Sequence, residues 1–174
     1  MRTNNTSWDK SAEWYDKMLA SEGTYQKDLM LPNLMRLMDI KKGELILDLA
    51  CGSGFFSREF YKAGARVIGA DISKNLIEIA RKNSSKEIEY HISAADDLKF
   101  LKNGQMDKIA SVLAVQNIEN IQAIFNECAR VLKNKGKIFL VLNHPMFRVP
   151  NASSWGWDES AEPKNGKRGV QYRR

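Results

Sequence analysis

The chain has 174 residues, enough for one domain with a sizeable core, and its 43% hydrophobic and 28% charged content is ordinary for a soluble globular protein. No apolar run nears the roughly 18 residues of a membrane span, and the polar start MRTNNTSWDK has no apolar signal region, so a cytoplasmic protein is expected. The net charge of +6 comes mostly from the tail, where Lys164, Lys167, Arg168, Arg173 and Arg174 crowd the last stretch of chain. Such a tail touches polyanions or is simply solvated; the near-balanced remainder argues against a nucleic-acid partner.

Apolar residues recur at helical spacing in Trp8, Ala12, Tyr15 and Leu19, and again in Leu31, Leu34, Leu37 and Met38. This predicts two N-terminal helices, about 7–20 and 24–39. After Gly43 the period changes. Residues 44–50 form a nearly continuous apolar run, as in a strand buried on both faces. Cys51-Gly52-Ser53-Gly54 predicts a tight turn, and 55–62 a helix ending near Gly64. Residues 65–71 predict a second strand, and Ser73 caps a helix through Arg81. Further strands are predicted over 87–92, 107–115 and 137–142, with a helix over 119–132 closed by Lys133-Asn134-Lys135-Gly136. Alternation of this kind predicts an α/β fold with a parallel sheet covered by helices. From Asn143 onward prolines interrupt the pattern, leaving an irregular tail with one short strand near 169–172. The organisation expected is one domain: a helical cap over 1–42, a core over 43–143 and a partly flexible tail over 144–174.

Two cysteines, Cys51 and Cys128, predict no disulfide framework, and with only two histidines no metal-ligand spacing occurs. The informative unit is the turn after the first strand. Gly52 and Gly54 admit backbone angles barred to other residues and let a ligand approach the chain. In open α/β sheets ligands bind outside the carboxyl ends of the strands, where this turn lies. Asp71 ends the next strand, where a carboxylate accepts hydrogen bonds from a ribose diol. These features fit a dinucleotide site as well as other nucleoside sites. Asp48, just ahead of the glycines, favours a ligand with an ammonium group over one with a pyrophosphate. Bonding to backbone at a strand end is its plainer role. Ser57 also occupies the place of the third glycine of the dinucleotide fingerprint.

Asp48-Leu49-Ala50-Cys51-Gly52-Ser53-Gly54 resembles the first motif of class I S-adenosylmethionine (SAM)-dependent methyltransferases. Asp71 matches the acidic residue ending their second strand, 107–115 resembles their fourth motif, and Ala129 to Ile138 resembles their turn into strand five. The resemblance covers about residues 7–145 and is nearest to small-molecule methyltransferases of the ubiquinone-biosynthesis type. It implies a Rossmann-like, doubly wound, mostly parallel sheet of about five strands. It also implies SAM as cofactor, S-adenosylhomocysteine (SAH) as product and a small-molecule acceptor with an O, N or C nucleophile. Carried over residue by residue, Ala50, Cys51, Gly52 and Gly54 flank the methionine and ribose. Asp71 holds the ribose hydroxyls and Ile72 packs on the adenine. Ala94 stands where the family has an adenine-reading Asp, so Asp96 or water meets the base amine while the Ala95 amide faces the ring. Leu113 and Ala114 lie near the methionine amino group, and Tyr15 closes over its carboxylate or simply packs. Gln116 and Asn117 face the acceptor. His144 is either a general base or a turn residue before Pro145. The residues after Leu142 are too few for the family's last antiparallel strands, so a shortened chain is expected, with a strand edge that either the tail or a second chain in a homodimer would cover. A SAM-binding module without turnover is the alternative. A nicotinamide-linked oxidoreductase is disfavoured by Asp48 and Ser57.

Overall fold

The polypeptide between Gly43 and Val141 passes five times through one sheet, and the central passages, β1, β2 and β4, are the most deeply buried. The computed structural model describes Asp16 and residues 23–143, together with the backbone of 154–157 and 170–173. The strands are β1 (Leu45–Leu49), β2 (Arg66–Asp71), β3 (Glu89–Ile92), β4 (Met106–Val112) and β5 (Leu132–Val141). Their order is β3-β2-β1-β4-β5 and every pairing is parallel. The order reverses between β1 and β4, the position at which doubly wound sheets open a crevice at their carboxyl ends.

The helices are α1 (Leu31–Met38), α2 (Phe55–Lys62), α3 (Lys74–Asn83) and α4 (Ile121–Val131). A π-helical turn, Gln26–Met30, leads into α1. Ser73 caps α3 as predicted: its hydroxyl accepts from the Leu76 amide at 3.2 Å. Asn120 caps α4, accepting from Ala123 N at 3.1 Å. Side chains alternate along a strand, so β1 feeds both faces of the sheet. Ile46 joins Leu34, Met38, Phe56, Phe60 and Ile77 on the side of α1 to α3. Leu47 and Leu49 join Ile124, Cys128 and Val131 on the side of α4. Phe60, Met38, Ile46, Leu47 and Ile124 are almost wholly buried, each contributing about 1.5–3 kcal/mol of transfer free energy.

The carboxyl-to-amino polarity of the sheet separates two environments. At the amino end, Asp107 accepts from the Leu45 amide at 2.9 Å and from Lys133 Nζ at 2.7 Å. Lys108, buried at its place in β4, pairs with the Glu44 carboxylate and donates to the Asp39 carbonyl at 3.2 Å. These bonds tie β1, β4 and β5 together at their starts.

Two expectations differ in detail, and a third is not tested. The strand predicted over 107–115 stops at Val112, because Leu113 takes a left-handed φ of 54° and Val115–Asn117 forms a 3-10 turn. β5 starts earlier than predicted, at Leu132, so the Lys133–Gly136 stretch belongs to the strand, with a register shift opposite Met106 and Lys108. The helix predicted over 7–20 lies outside the described residues except for Asp16, which accepts from Asn83 Nδ2 at 3.3 Å. The chain divides into two compact units, Met1–Leu142 and Asn143–Arg174. In the second, β6 (Ser154–Trp157) and β7 (Val170–Arg173) pair antiparallel, Trp155 opposite Tyr172. β7 meets the strand expected near 169–172; β6 falls where the sequence predicts irregular chain, because Trp155-Gly156-Trp157 sits among Ser, Asn and Asp.

Candidate functional site

A cavity of about 500 Å³ opens at the carboxyl ends of the strands. That is the size range of small-molecule and cofactor sites. Each wall is the residue group that follows a strand: Ala50 and Gly52 after β1, Asp71 and Ile72 at the end of β2, Ser93 to Asp96 after β3, and Val112 to Ala114 at the end of β4. Asn117, Ile118, Glu119 and Asn120 close the side leading into α4. Of the residues singled out in the sequence, Ala50, Gly52, Asp71, Ile72, Ala95, Asp96, Leu113, Ala114 and Asn117 meet on this one surface.

Asp71 is buried to 8% exposure, and both of its oxygens are engaged by main chain. Oδ2 accepts from Gly52 N at 2.9 Å and Oδ1 from Ser73 N at 2.9 Å. These two bonds clamp the carboxylate in orientation at the cavity wall. Ile72, at 37% exposure, presents an apolar face to the same space. Ala50, with φ 58°, and Gly52, with φ 56°, both hold left-handed backbone that turns the chain away from β1. Leu113 is oriented likewise: its amide donates to Val141 O at 2.8 Å, and its carbonyl accepts from Asn117 Nδ2 at 3.3 Å. The loop after β3 is bracketed from outside. Arg130 donates to Leu98 O and Leu101 O, each at 2.9 Å, and Glu127 accepts from the Leu98 amide at 2.8 Å. Arg130 and Leu98 thus give the Ala129-Arg130-Val131-Leu132 motif a structural task, holding the loop that carries Asp96.

Asp48, Cys51 and Gly54 stand behind this surface rather than on it. Asp48 shares the face of β1 with Ile46, which packs against α2, so its side chain points to Ser57 and not into the cavity. The Ser57 hydroxyl donates to Asp48 Oδ2 at 2.5 Å, and both residues are buried. Burial pushes the Asp48 carboxyl up to about 7; the Ser57 hydrogen bond opposes this and the Asp71 charge adds to it. Asp48 thus lies beneath the turn and off the cavity wall. Gly54, φ 77°, packs on Tyr90: a Cβ there would lie 2.4 Å from the tyrosine oxygen. Cys51 is buried, with burial first and the Asp48 and Asp71 charges next pushing its thiol up. Gln116 lies in the 3-10 turn and is not on the cavity wall. Tyr15 and His144 fall outside the described residues.

Leu76, Ile118, Glu119 and Asn120 line the cavity and escaped the sequence reading, and Ser93, which opens the stretch likened to the family's adenine-reading segment, lines it too. Ser93 follows β3 as Asp71 ends β2, so the strand-end rule that selected Asp71 reaches it too. Glu119 and Asn120 follow a 3-10 turn that periodicity does not reveal. Among the described residues no group of His, Cys, Asp and Glu is arranged to hold a metal ion, and no helix is long and apolar enough to cross a membrane.

Residues 47–140 match the family described as "Methyltransferase domain". The "Ubiquinone biosynthesis O-methyltransferase" of Xanthomonas oryzae pv. oryzae is 30% identical over 141 residues, 76% of this chain and 58% of that protein. The chain thus spans less than two thirds of the length of such relatives. An S-adenosylmethionine-dependent methyltransferase from Mesorhizobium loti superposes with a TM-score of 0.70 at 25% identity, covering 87% of this chain and 67% of that one. The PH0226 protein from Pyrococcus horikoshii OT3 superposes with a TM-score of 0.66 at 27% identity, covering 80% and 69%. With its β3-β2-β1-β4-β5 sheet and the matched residues 47–140 running from β1 through β5, the chain belongs to the methyltransferase-domain family and has the class I fold.

Proposed function

We propose that the cavity holds SAM and that the chain transfers its methyl group to a small-molecule acceptor. The observation that carries this reading is Asp71, a carboxylate clamped by two backbone amides at the rim of the cavity where a ribose diol would present two donors. Ile72 offers an apolar face for the adenine, and Asp96, with the Ala95 amide, reads its polar edge. The Ala50–Gly52 and Leu113–Ala114 backbones flank the methionine portion. When bound, SAM supplies an already activated sulfonium carbon. The protein's part is then to align the acceptor in line with that carbon and keep water out, which alone is worth several orders of magnitude in rate. Asn117 and Glu119, on the wall nearest α4, orient the acceptor. The name of the Xanthomonas relative specifies an oxygen acceptor, so hydroxylated small molecules are the first class to test here. The buried free thiols of Cys51 and Cys128 fit a cytoplasmic site of action.

Calorimetric titration with SAH and with NAD, followed by a methyl-release assay on a panel of hydroxylated, amine and carbon acceptors, tests the reading. SAH should bind and NAD should not. Asp71→Ala should weaken SAH by about 1–3 kcal/mol, the cost of leaving ligand hydroxyls unpartnered. Tight NAD binding, or an Asp71→Ala chain with unchanged SAH affinity, would remove the basis of the proposal.

A further inference from the structure

The cavity wall that the SAM reading gives to the adenine is the start of the connection between β3 and β4, and residues 93–105 contain no helix or strand. Two buried leucines, Leu98 and Leu101, and a set of hydrogen bonds give this stretch its shape. At its start Ser93 N donates to Asp71 O at 2.9 Å. Asp97 N then donates to Ala94 O at 3.0 Å, and the Ser93 hydroxyl donates to Asp97 O, closing a turn over 94–97. At its end Gly104 N and Gln105 N donate to the carbonyls of Arg130 and Val131 at 2.9 and 2.8 Å. Asp96 lines the cavity and also a smaller hollow on the outer side of the turn, which it shares with Asp97, Lys99 and Glu127. The wall at Asp96 is thus one residue thick, and what stands behind it is the last part of α4.

There Glu127 and Arg130 form a two-pronged pair, Nε to Oε1 and Nη2 to Oε2, each at 2.7 Å. Arg130 Nη2 also donates to Leu98 O at 2.9 Å, while Nη1 donates to Leu101 O and Asn103 Oδ1, both at 2.9 Å. Every N–H of the guanidinium is then spent inside the protein. Glu127 Oε2 accepts from Leu98 N at 2.8 Å. Leu98 is therefore gripped at both its N–H and its C=O by one rigid ion pair, two residues after Asp96. The Arg130 hydrogen bond holds the Glu127 carboxyl below its ordinary range, so the pair stays charged at neutral pH. A planar fork on two carbonyls and a carboxylate is a geometry that no single point charge reproduces.

We propose that Glu127 and Arg130 are positioning residues for base recognition: from the far side of the wall they fix Leu98, and through it set Ala95 and Asp96 against the 6-amino edge of the adenine. This rests on the SAM reading above. Losing either member frees a buried peptide unit, and the turn over 94–97 keeps only its attachment at Ser93. The polar groups that meet the base then lose their alignment, while Asp71, held by Gly52 and Ser73, keeps its own.

The experiment is a calorimetric comparison of SAH with S-inosylhomocysteine, which carries a 6-oxo group in place of the 6-amino group. It is made on the wild-type chain and on Arg130→Met and Glu127→Gln, with folding of each checked by circular dichroism. The wild type should prefer SAH by about 5- to 100-fold, the scale of one polar group left unpaired. In both variants that preference should shrink by about 3-fold or more, because SAH loses more affinity than its analogue. A purely structural defect lowers both affinities by the same factor and leaves their ratio in place. The two substitutions change the local charge in opposite directions, so a common fall in the ratio reports lost positioning rather than an altered field. Should Arg130→Met not fold, Glu127→Gln, of the same size and shape as the residue it replaces, carries the test with the same expected fall. An unchanged ratio in a folded variant, ratios that move in opposite directions, or a wild type that binds both compounds equally would overturn the inference and leave the SAM reading standing. A wild type that binds no SAH would bring down the SAM reading, and the inference with it.

Discussion

At the amino end of the sheet the charges are matched in pairs, whereas at the carboxyl end two carboxylates, Asp48 and Asp71, are buried, the first bonded by the Ser57 hydroxyl and the second by backbone amides. Glu44 and Lys108, Asp107 and Lys133, and Asp39 and Lys41 are each within ion-pair distance. Burial works against ionisation of Glu44 and Asp107, but Lys108 and Lys133, helped by the backbone amides of Lys41 and Leu45, hold both carboxyls below their ordinary range. Asp48 has no cation bonded to it, and burial carries it the other way, up to about 7. Two further polar atoms at that end, the hydroxyls of Ser53 and Ser111, are buried without a partner among the described residues. The difference teaches that the two ends obey the same electrostatics with opposite outcomes: one end gains stability from its charges, and the end that carries the cavity loses some.

The largest effect should come from disturbing the turn itself. Gly54→Ala combines a left-handed φ of 77° with a 2.4 Å approach to the Tyr90 oxygen, and should cost about 2–4 kcal/mol in urea denaturation. Adding Tyr90→Phe should restore part of that loss, because the hydroxyl is the atom in the way; no recovery would mean that the backbone angle alone is at fault. Next comes Asp48→Asn, which should stabilise the fold by on the order of 1–3 kcal/mol at pH 8. The folded carboxyl binds its proton more tightly than the unfolded one, so folding is penalised most above pH 7 and the penalty fades as pH falls toward 4. The gain should shrink over that window; an equal gain at both ends of it would show that Asp48 is not the source.

Lys108→Met should act with the opposite pH dependence. It strips Glu44 of its partner and should cost about 1–2 kcal/mol at neutral pH. The contribution of Glu44 is present above its unfolded value near 4.5 and is lost as pH falls through its lowered folded value, so the variant and the wild type should converge in acid. Divergence in acid would erase the contrast between the two ends. The smallest effect belongs to Lys74→Ala: its pairing with Glu78 is 3.7 Å long and exposed on both sides, worth under about 0.5 kcal/mol. A larger loss would show that surface charge contributes more to this fold than either end of the sheet.

The five strands and the helices between them were legible because residues buried on both faces of a parallel sheet read as apolar runs, and because Ser73 and Gly64 punctuate them. Asp71 was legible as a strand-end carboxylate, whereas Ala50 and Leu113 were reached only through the resemblance to methyltransferase motifs. The start of β5 was not: Lys133-Asn134-Lys135-Gly136 has turn composition, and only pairing with Met106 and the bond from Lys133 to Asp107 draws it into the sheet. The side to which Asp48 points was also hidden. In a strand buried on both faces, alternation leaves no polar pattern to tell one face from the other. Ser57 was legible only as a missing glycine; its hydrogen bond to Asp48 depends on α2 folding back over β1, which no local signal carries.

A crystal structure of the chain grown with SAH and NAD both present would test the assignment of the cavity most directly. The expected result is SAH with its ribose hydroxyls on Asp71, its adenine along Ile72 and its amino group over the turn that covers Asp48. NAD in that place, or SAH bound away from Asp71, would contradict it.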